Sequence, residues 1–136
     1  MTIRLAKKSE VLQIKKFVDS FEEIDTTKET FSLQYYKRII KKGILLVAEE
    51  NKKIIGVCFG TYNVKEKWAD LLGIAVKNKF RSRGIGRSLV KEFENFVKSK
   101  KLKTIDLYDN KNQVGLFKNL GYKKGRVYIA FRKKFH

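Results

Sequence analysis

The stretch Arg81–Ser88 has the residue types to bind an anion, because it combines Gly84 and Gly86 with three arginines. A strand that turns through glycine into the start of a helix leaves several backbone N–H groups without partners. The helix dipole adds partial positive charge at the same place. Guanidinium groups donate hydrogen bonds in a planar fork that suits phosphate. The sequence therefore predicts a phosphate site at residues 81–88.

Two hydrophobic patterns flank this stretch and predict the elements that position it. Before it, residues 68–76 contain an apolar run bounded by charged residues, which predicts a buried strand. The apolar members of this run are Leu71, Leu72, Ile74, Ala75 and Val76. After it, apolar residues recur every three or four positions, which predicts an amphipathic helix. These residues are Ile85, Leu89, Phe93, Phe96 and Val97.

Two common phosphate-binding motifs do not fit the stretch. A P-loop requires Gly-x-x-x-x-Gly-Lys-Ser/Thr, a spacing that the chain lacks. The dinucleotide fingerprint requires a third glycine at the position of Leu89. The run Arg81-Ser82-Arg83-Gly84-Ile85-Gly86, with its preceding strand and following helix, instead resembles the Arg/Gln-x-x-Gly-x-Gly/Ala motif of the GNAT superfamily of N-acetyltransferases.

The order of the predicted elements also resembles the GNAT fold along nearly the whole chain. The patterns predict the order β-α-α-β-β-β-α-β-α-β, with one or two closing strands in Tyr122–Phe135 whose Val127, Ile129 and Phe131 alternate. This order indicates an α+β fold with a mostly antiparallel sheet and one parallel crossover. The resemblance implies a parallel pair that splays apart at the cofactor site, with helices flanking the sheet. We expect a single N-acetyltransferase domain over residues 1–136.

Composition limits the partners and the location of the protein. The 136 residues carry 32 Lys and Arg against 14 Asp and Glu, a formal net charge of +18. Such a charge favours polyanionic partners, either non-specifically bound nucleic acid or a ligand with several phosphates. One cysteine and one histidine cannot form an internal disulfide or a zinc site, so we expect no metal. No apolar run has transmembrane length, so we expect no membrane contact and a cytoplasmic location.

The resemblance implies that acetyl-CoA is the acetyl donor. The loop amides of the family motif bind the diphosphate of the coenzyme. The corresponding residues of this chain are Arg81, Ser82, Arg83, Gly84, Ile85, Gly86, Arg87 and Ser88. In the family, backbone groups of the preceding strand pair with pantetheine, which implies Ile74, Ala75 and Val76 here. These strand groups must be free of a neighbouring strand to do so.

A second family signature is an asparagine followed by a helix that ends Leu-Tyr-x-x-Leu-Gly-Phe. Here Asn110 or Asn112 would bond to the pantetheine amides, or would instead cap the helix. In this chain the helix ends with Leu116-Phe117-Lys118-Asn119-Leu120-Gly121-Tyr122. Phe117 therefore stands where the family has the tyrosine that protonates the departing thiolate. We expect Phe117 to lie in the core beside the cofactor. Tyr108, Tyr122 or a water could supply the proton instead, the thiolate could leave without an acid, or activity could be impaired.

Acyl transfer requires a neutral amine, and a lysine-like amine has a pKa of about 10.4. Some group must therefore accept its proton, directly or through water. In the histone-acetylating branch of the family a glutamate is the base, and the resemblance places that position at Asp70. Asp70 interrupts the apolar strand. The alternative interpretation is an aspartate at the edge of the strand that pairs with a lysine. Glu49 and Glu50 are the fallback bases. The amide of Val76 or Ala75 would hold the oxyanion.

The acceptor site of the family lies between the first two helices and the C-terminal strands. This placement puts the acidic segment 22–30 over the entrance. The carboxylates of the segment are Glu22, Glu23, Asp25 and Glu29. We therefore expect a cationic acceptor, such as a basic protein segment, an N-terminus or a polyamine. A solvated acidic turn is the alternative interpretation.

The leading prediction is an N-acetyltransferase that works by direct transfer in a ternary complex. Cys58, in an ordinary strand pattern, is expected in the core and not as an acyl-enzyme nucleophile. The alternative is a non-catalytic GNAT-like module that binds acyl-CoA or nucleic acid, since residues 77–103 hold ten basic and two acidic residues. In either case we expect a monomer or a homodimer.

Overall fold

The structure is a computed structural model that describes residues 1–21, 31–107, 114–126, 129, 131 and 133–135. Its described strands are β1 (Thr2–Leu5), β2 (Ile44–Glu50), β3 (Lys53–Asn63), β4 (Trp68–Val76) and β5 (Thr104–Leu107). Its described helices are α1 (Val11–Asp19), α2 (Leu33–Lys42), α3 (Ile85–Ser99) and α4 (Val114–Asn119). Short 3-10 turns at Lys8–Glu10 and Asn78–Phe80 precede α1 and α3.

The described strands form one sheet in the order β1-β2-β3-β4-β5. Each neighbouring pair is antiparallel except β4 and β5, which are parallel. The β2–β3 hairpin turns at Asn51 and Lys52, whose positive φ angles of 51° and 62° match the twist that favours a two-residue hairpin loop. The predicted α+β fold with one parallel pair is thereby confirmed.

Helices cover both faces of the sheet, because each strand through the middle places alternate apolar side chains on opposite sides. On the first face, α1 and α2 cover Leu45, Val47, Val57 and Phe59. On the second face, α3 covers Ile44, Leu46, Cys58 and Leu71. The α3 residues Leu89, Val90 and Phe93 are fully buried there, as the helical spacing predicts. Cys58 is also fully buried, which confirms its predicted place in the core.

The predicted closing strands after Tyr122 are wrong for the part of this segment that the structure describes. Residues 122–126 lie in no strand. The side chains of Ile129 and Phe131 are 78% and 93% exposed instead of facing inward. Val127 lies outside the described residues. Alternation shows that a segment can form a strand, but a strand also needs a neighbour to accept its hydrogen bonds.

A bulge in β4 decides which side chains face which helices. Leu71 pairs with Gly60 and Gly73 pairs with Phe59, so Leu72 has no partner on β3. Before the bulge, Leu71 packs on the second face, whereas after it Ala75 packs on the first face. Leu72 itself is 40% exposed, so its predicted burial is wrong. The inserted residue shifts the alternation by one position.

Gly73 follows the bulge and leaves room for the ring of Phe59. A Cβ on Gly73 would lie 2.4 Å from Cζ of Phe59. That ring cannot easily move, because it is 2% exposed and its centroid lies 5.6 Å from Phe31 and 5.7 Å from Tyr36. The position therefore requires glycine for space, without any unusual backbone angle.

We expect Gly73→Ala to lower the free energy of unfolding by about 1 to 3 kcal/mol, the usual cost of overpacking a core. Urea unfolding of both proteins measures the change. The matched control is Gly125→Ala, where a Cβ would meet no atom within 4 Å. If the clash with the ring is the cause, Gly73→Ala should cost much less unfolding free energy when it is made in a Phe59→Leu background. Additive effects of the two substitutions would contradict this explanation.

Candidate functional site

Strands β4 and β5 pair along only part of β4. The pairing runs from Trp68 opposite Thr104 to Leu71 opposite Leu107. Strand β4 then continues to Val76 while remaining paired with β3 on its other edge. Among the described residues, the edge of β4 beyond Leu71 therefore has no neighbouring strand. The resemblance implies that the parallel pair splays apart at this edge; residues 108–113, which follow β5, lie outside the described part of the chain.

Two residues of β4 direct their backbone groups into this opening. The amide of Lys77 donates to the carbonyl of Ile55 on β3 at 2.8 Å. Alternate residues of an antiparallel strand face the same neighbour, so Ala75 also directs its N–H and C=O to β3. Ile74 and Val76 direct theirs to the open side. Ile74, Ala75 and Val76 are the strand residues predicted to pair with pantetheine. Of these, Ala75 directs its backbone groups to β3 and leaves none for a ligand.

The carbonyl of Val76 has a partner in the opening. Nε of Arg81 donates to this oxygen at 3.1 Å. This contact fixes the first residue of the predicted phosphate-binding stretch against the end of β4. It also agrees with the direction of the Val76 backbone groups deduced from the β3 pairing. The amide of Val76 lies on the same open side.

The N-terminus of α3 presents backbone amides without an internal cap. Gly84 precedes the helix with φ 76° and ψ 14°, a left-handed conformation that favours glycine. The first intrahelical bond runs from the amide of Ser88 to the carbonyl of Gly84 at 3.0 Å. The amides of residues 85–87 come before that bond and have no carbonyl four residues back in the helix. No side chain caps this end, and its first turn contains no acidic residue.

The first turn of α3 lies against the open part of β4. A Cβ on Gly86 would be 3.8 Å from Cδ1 of Ile74 and 3.9 Å from Cγ2 of Val76. On its other side, the same atom would be 3.9 Å from Cδ2 of Leu116 in α4. The helix amides and the open strand edge therefore adjoin one another. We call this region, bordered by the amides of residues 85–87 and the outer edge of β4, the cleft.

Exposed cations surround the cleft. The Arg83 guanidinium lies 5.0 Å over the ring of Phe80 and 3.8 Å from Oε2 of Glu50. The side chains of Ser82 and Arg87 are exposed, and Ser88 is half-buried. With the helix dipole, these guanidinium groups give the mouth of the cleft a positive potential suited to a diphosphate.

Asp70 lies near the end of the described pairing between β4 and β5. It pairs directly with Asp106, one position before the last described pair. Its neighbours Ala69 and Leu71 pack on the second face, so the Asp70 side chain lies on the first face. Burial raises the pKa of Asp70, and the negative charge of Asp106 raises this pKa further. A carboxylate with a raised pKa is a better proton acceptor than an exposed aspartate.

The fallback bases, Glu49 and Glu50, lie on β2, two strands away from the opening. Oε2 of Glu49 accepts a hydrogen bond from Arg4 at 2.8 Å. Arg4 also donates to both carboxylate oxygens of Glu10, and this bonding holds the pKa of Glu10 at about 2. Glu49 therefore belongs to a network that joins β1 to β2. Glu50 lies 3.8 Å from Arg83 and is therefore close to the mouth of the cleft, although its strand is separated from β4 by β3.

Several predicted residues near the cleft are core residues or lie outside the described part of the chain. Phe117 is buried at 6% exposure, and its ring centroid lies 5.6 Å from that of Tyr122. The hydroxyl oxygen of Tyr122 is buried and has no hydrogen-bond partner among the described residues. Burial raises the pKa of Tyr122, and the nearby Glu94 carboxylate adds to this effect. Residues outside the described part are Tyr108, Asn110, Asn112, Glu22, Glu23, Asp25 and Glu29.

Sequence reasoning missed a second concave feature at the other end of α3. A cavity of about 370 Å³ lies between the C-terminal half of α3 and the start of β5. Its polar lining includes Glu94, Lys98 and Lys103, and Tyr122 closes one side. No motif marks these residues, because they meet only after β5 has paired with β4.

Two kinds of site are absent from the described residues. No group of three or more His, Cys, Asp or Glu side chains in this part of the chain could hold a metal ion. Burial also raises the pKa of the Cys58 thiol, which disfavours the thiolate that an acyl-enzyme nucleophile would need. None of the described helices is long and apolar enough to cross a membrane.

Solved structures share this fold. An aminoglycoside acetyltransferase, AAC(6')-Iy with a CoA-containing bisubstrate analog, is 17% identical, with a TM-score of 0.78 over 98% of each chain. Another aminoglycoside acetyltransferase, from an uncultured soil metagenomic sample with bound sisomicin, is 15% identical (TM-score 0.76; 98% of this chain, 96% of that chain). A transcriptional regulator from Bacillus halodurans C-125 is 18% identical (TM-score 0.79; 97% and 99%). At these identities the likeness concerns the fold.

Sequence comparison identifies the family directly. A search of curated proteins finds no match to this chain. A sequence model described as the acetyltransferase (GNAT) family matches residues 12–122, which include β4, α3 and the cleft between them. The match covers more than half of the chain and contains every element that forms the cleft. The chain therefore belongs to the GNAT family of acetyltransferases.

Proposed function

We propose that the protein transfers an acetyl group from acetyl-CoA to a primary amine by direct transfer in a ternary complex. The observation that carries this proposal is the open edge of β4 beside the uncapped N-terminus of α3. A coenzyme with a diphosphate and a chain of amides needs both features at once. Family membership supports acyl transfer as the reaction class.

The residues of the cleft fit acetyl-CoA in two places. The uncapped amides of residues 85–87, with Arg83 and Arg87, would bind the diphosphate. The open backbone groups of Ile74 and Val76 would pair with the pantetheine amides as a neighbouring strand does. Arg81 already occupies the Val76 carbonyl, so the free groups on this side are those of Ile74 and the Val76 amide. Asn110 or Asn112 would add a side-chain contact.

Asp70 would accept the proton of the acceptor amine, directly or through one water. Its place near the end of the described pairing between β4 and β5 supports this role, as does its raised pKa. The Val76 amide, on the open side, would donate to the acyl oxygen as negative charge develops there. Ala75 is excluded from that donor role, because its amide faces β3. Tyr108 or a water would supply a proton to the leaving thiolate, because the Tyr122 side chain lines the cavity beside the C-terminal half of α3 instead.

The acceptor is a primary amine, and we infer that it is cationic. Protein lysines, N-termini, polyamines and small amines all have this chemistry. The acidic segment 22–30, which lies outside the described residues, would attract such a substrate in a protein whose net charge is otherwise +18. Aminoglycosides, the substrates named for two structural neighbours, are also multiply charged amines.

The alternative is a GNAT-like module that binds acyl-CoA or nucleic acid without catalysis. One observation favours it: Phe117 is buried and has no hydroxyl where the family uses a tyrosine. A neighbour named as a transcriptional regulator is also compatible with a binding role. Thiol release from acetyl-CoA over a panel of amines and peptides separates the two functions. Release that depends on the amine supports the enzyme, and binding without release supports the module.

Binding of acetyl-CoA tests the cleft. We expect one molecule to bind per chain in calorimetry and Gly84→Ala to weaken binding five- to thirtyfold. The left-handed conformation that Gly84 adopts costs about 1 to 2 kcal/mol more for alanine than for glycine. The variant must adopt this conformation to bind the coenzyme, so the same free energy is lost from binding. Gly125→Ala is the matched control and should bind like the wild type. An unchanged Kd in folded Gly84→Ala, or no binding by the wild type, would contradict the proposed site.

The pH dependence of kcat/KM tests Asp70. We expect Asp70→Asn to lower kcat/KM about 100-fold or more, with the acetyl-CoA Kd unchanged. Because Asp106 raises the pKa of Asp70, Asp106→Asn should lower that pKa and move the acidic limb of the profile to lower pH.

A fold control accompanies this experiment. A carboxylate with a raised pKa lowers stability once it ionises, so Asp70→Asn should not destabilise the protein at pH 7. Lost activity in a stable variant would then report chemistry. An acidic limb that stays in place in Asp106→Asn would rule out Asp70 as the titrating base.

Acceptor kinetics test the acidic segment. We expect replacement of its four carboxylates by amides to raise KM for a polyamine about tenfold or more, since each lost charge weakens attraction of the cation. The KM for acetyl-CoA should not change. The residues replaced are Glu22, Glu23, Asp25 and Glu29. An unchanged acceptor KM would remove this segment from the acceptor site.

A further inference from the structure

The outward side of α3 carries a row of cations. Arg87, Lys91 and Lys98 are exposed. Their spacing of four and seven residues places them on one side of the helix, opposite the buried Leu89 and Phe93. Lys101 is also exposed and follows the end of the helix, where its amide donates to the carbonyl of Lys98 at 2.9 Å. We name these four residues the α3 ridge.

The charges of the ridge are not neutralised by the described carboxylates nearby. None of its four residues has an ion pair within the described part of the chain, whereas Lys15 on α1 pairs with Asp19 at 2.7 Å. The two acidic residues of α3 differ in position. Glu92 accepts a hydrogen bond from Asn95 at 2.8 Å, whereas Glu94 lies in the row itself, three residues after Lys91 and four before Lys98. The ridge therefore has more cations than carboxylates and keeps a net positive charge, on a protein of net charge +18.

We propose that the α3 ridge binds the phosphate backbone of a nucleic acid. The ridge helix advances about 1.5 Å per residue, so Arg87 to Lys98 spans roughly 16 Å. Phosphates of one strand follow each other about every 3.4 Å along a helix axis, so this length meets several of them. The ridge binds phosphates, which gives affinity without sequence preference. This function is distinct from acetyl transfer, although Arg87 belongs to both surfaces.

The ridge fits a nucleic acid better than a membrane surface. A helix that lies on a membrane needs apolar side chains to insert beside its cations. The outward side of α3 has none, since the residues next to the ridge are Glu94 and Asn95. The apolar residues of α3 face the sheet and are buried.

Salt-dependent binding of labelled single-stranded RNA and DNA of the same sequence tests the ridge. The magnitude of the slope of log K against log salt falls by about 0.7 for each single-strand phosphate that the protein no longer neutralises. For Lys91→Gln/Lys98→Gln/Lys101→Gln we expect this magnitude to fall by about 2, with weaker binding. The RNA and DNA arms identify which strand binds more tightly. Arg87 is left unchanged, because it also borders the coenzyme cleft.

The control removes three lysines from α2, on the other face of the sheet. Lys37→Gln/Lys41→Gln/Lys42→Gln lowers the net charge from +18 by the same three charges, and all three side chains are exposed. We expect it to keep the wild-type slope. Equal losses in both variants would show a general charge effect and overturn the ridge. Tighter binding to polyglutamate or to anionic vesicles than to RNA and DNA would overturn it as well.

Activity and binding can fail independently. Neither triple variant changes a residue assigned to acetyl transfer, so both should bind acetyl-CoA with the wild-type Kd. Loss of nucleic-acid binding with normal acetyl-CoA binding supports the ridge. If the wild type binds nucleic acid but not acetyl-CoA, the ridge stands and the proposed transferase fails. If it binds acetyl-CoA but not nucleic acid, the ridge fails alone.

Discussion

The hydrogen bonding of β4 is the constraint on which the cleft depends. This strand is nine residues long and is paired with β3 along nearly all of them, but described pairing with β5 ends at Leu71. Buried backbone groups need partners, so an edge left open beside a packed helix is costly unless something satisfies it. Arg81 satisfies the Val76 carbonyl. Among the described residues, the backbone groups of Ile74 and the amide of Val76 have no strand partner, and the proposed ligand would pair with them.

Two glycines make this arrangement possible for different reasons. Gly73 gives the Phe59 ring room beside the bulge, so that aromatic residues can pack on the first face while β4 opens on its other edge. Gly84 adopts the left-handed turn that starts α3, and no side chain then caps the helix amides. The aromatic cluster supports β4 on the first face, and the N-terminus of α3 borders the outer edge of β4 on the second face. Positive charge accumulates at the cleft because the first turn of α3 has no acidic residue.

Local patterns predicted the elements of the cleft, but pairing between distant strands decided its details. Three local features can be recognised from a few neighbouring residues: the apolar run that ends at Val76, the glycine at position 84, and the helical spacing of α3. The structure contains the strand, turn and helix that these features predict. The bulge at Leu72 cannot be predicted from neighbouring residues, because it depends on how β4 pairs with β3. It exposes Leu72 and turns the Ala75 backbone away from the opening. The pairing of Asp70 with Asp106 is equally non-local, since β5 is reached only after α3.

Because Phe117 has no hydroxyl, the proposed reaction depends more on the group that deprotonates the amine than on an acid for the leaving group. In the proposed reaction the leaving group is a thiolate, and because a thiol has a pKa of about 8.5, its thiolate is a weaker base than an amine whose ammonium has a pKa of about 10.4. A thiolate can therefore leave without a positioned acid, whereas the acceptor ammonium cannot react until it loses a proton. In the proposed mechanism Asp70, whose pKa is raised, accepts that proton, while Phe117 packs in the core. The replacement of the family tyrosine is thus compatible with catalysis, provided that the base remains.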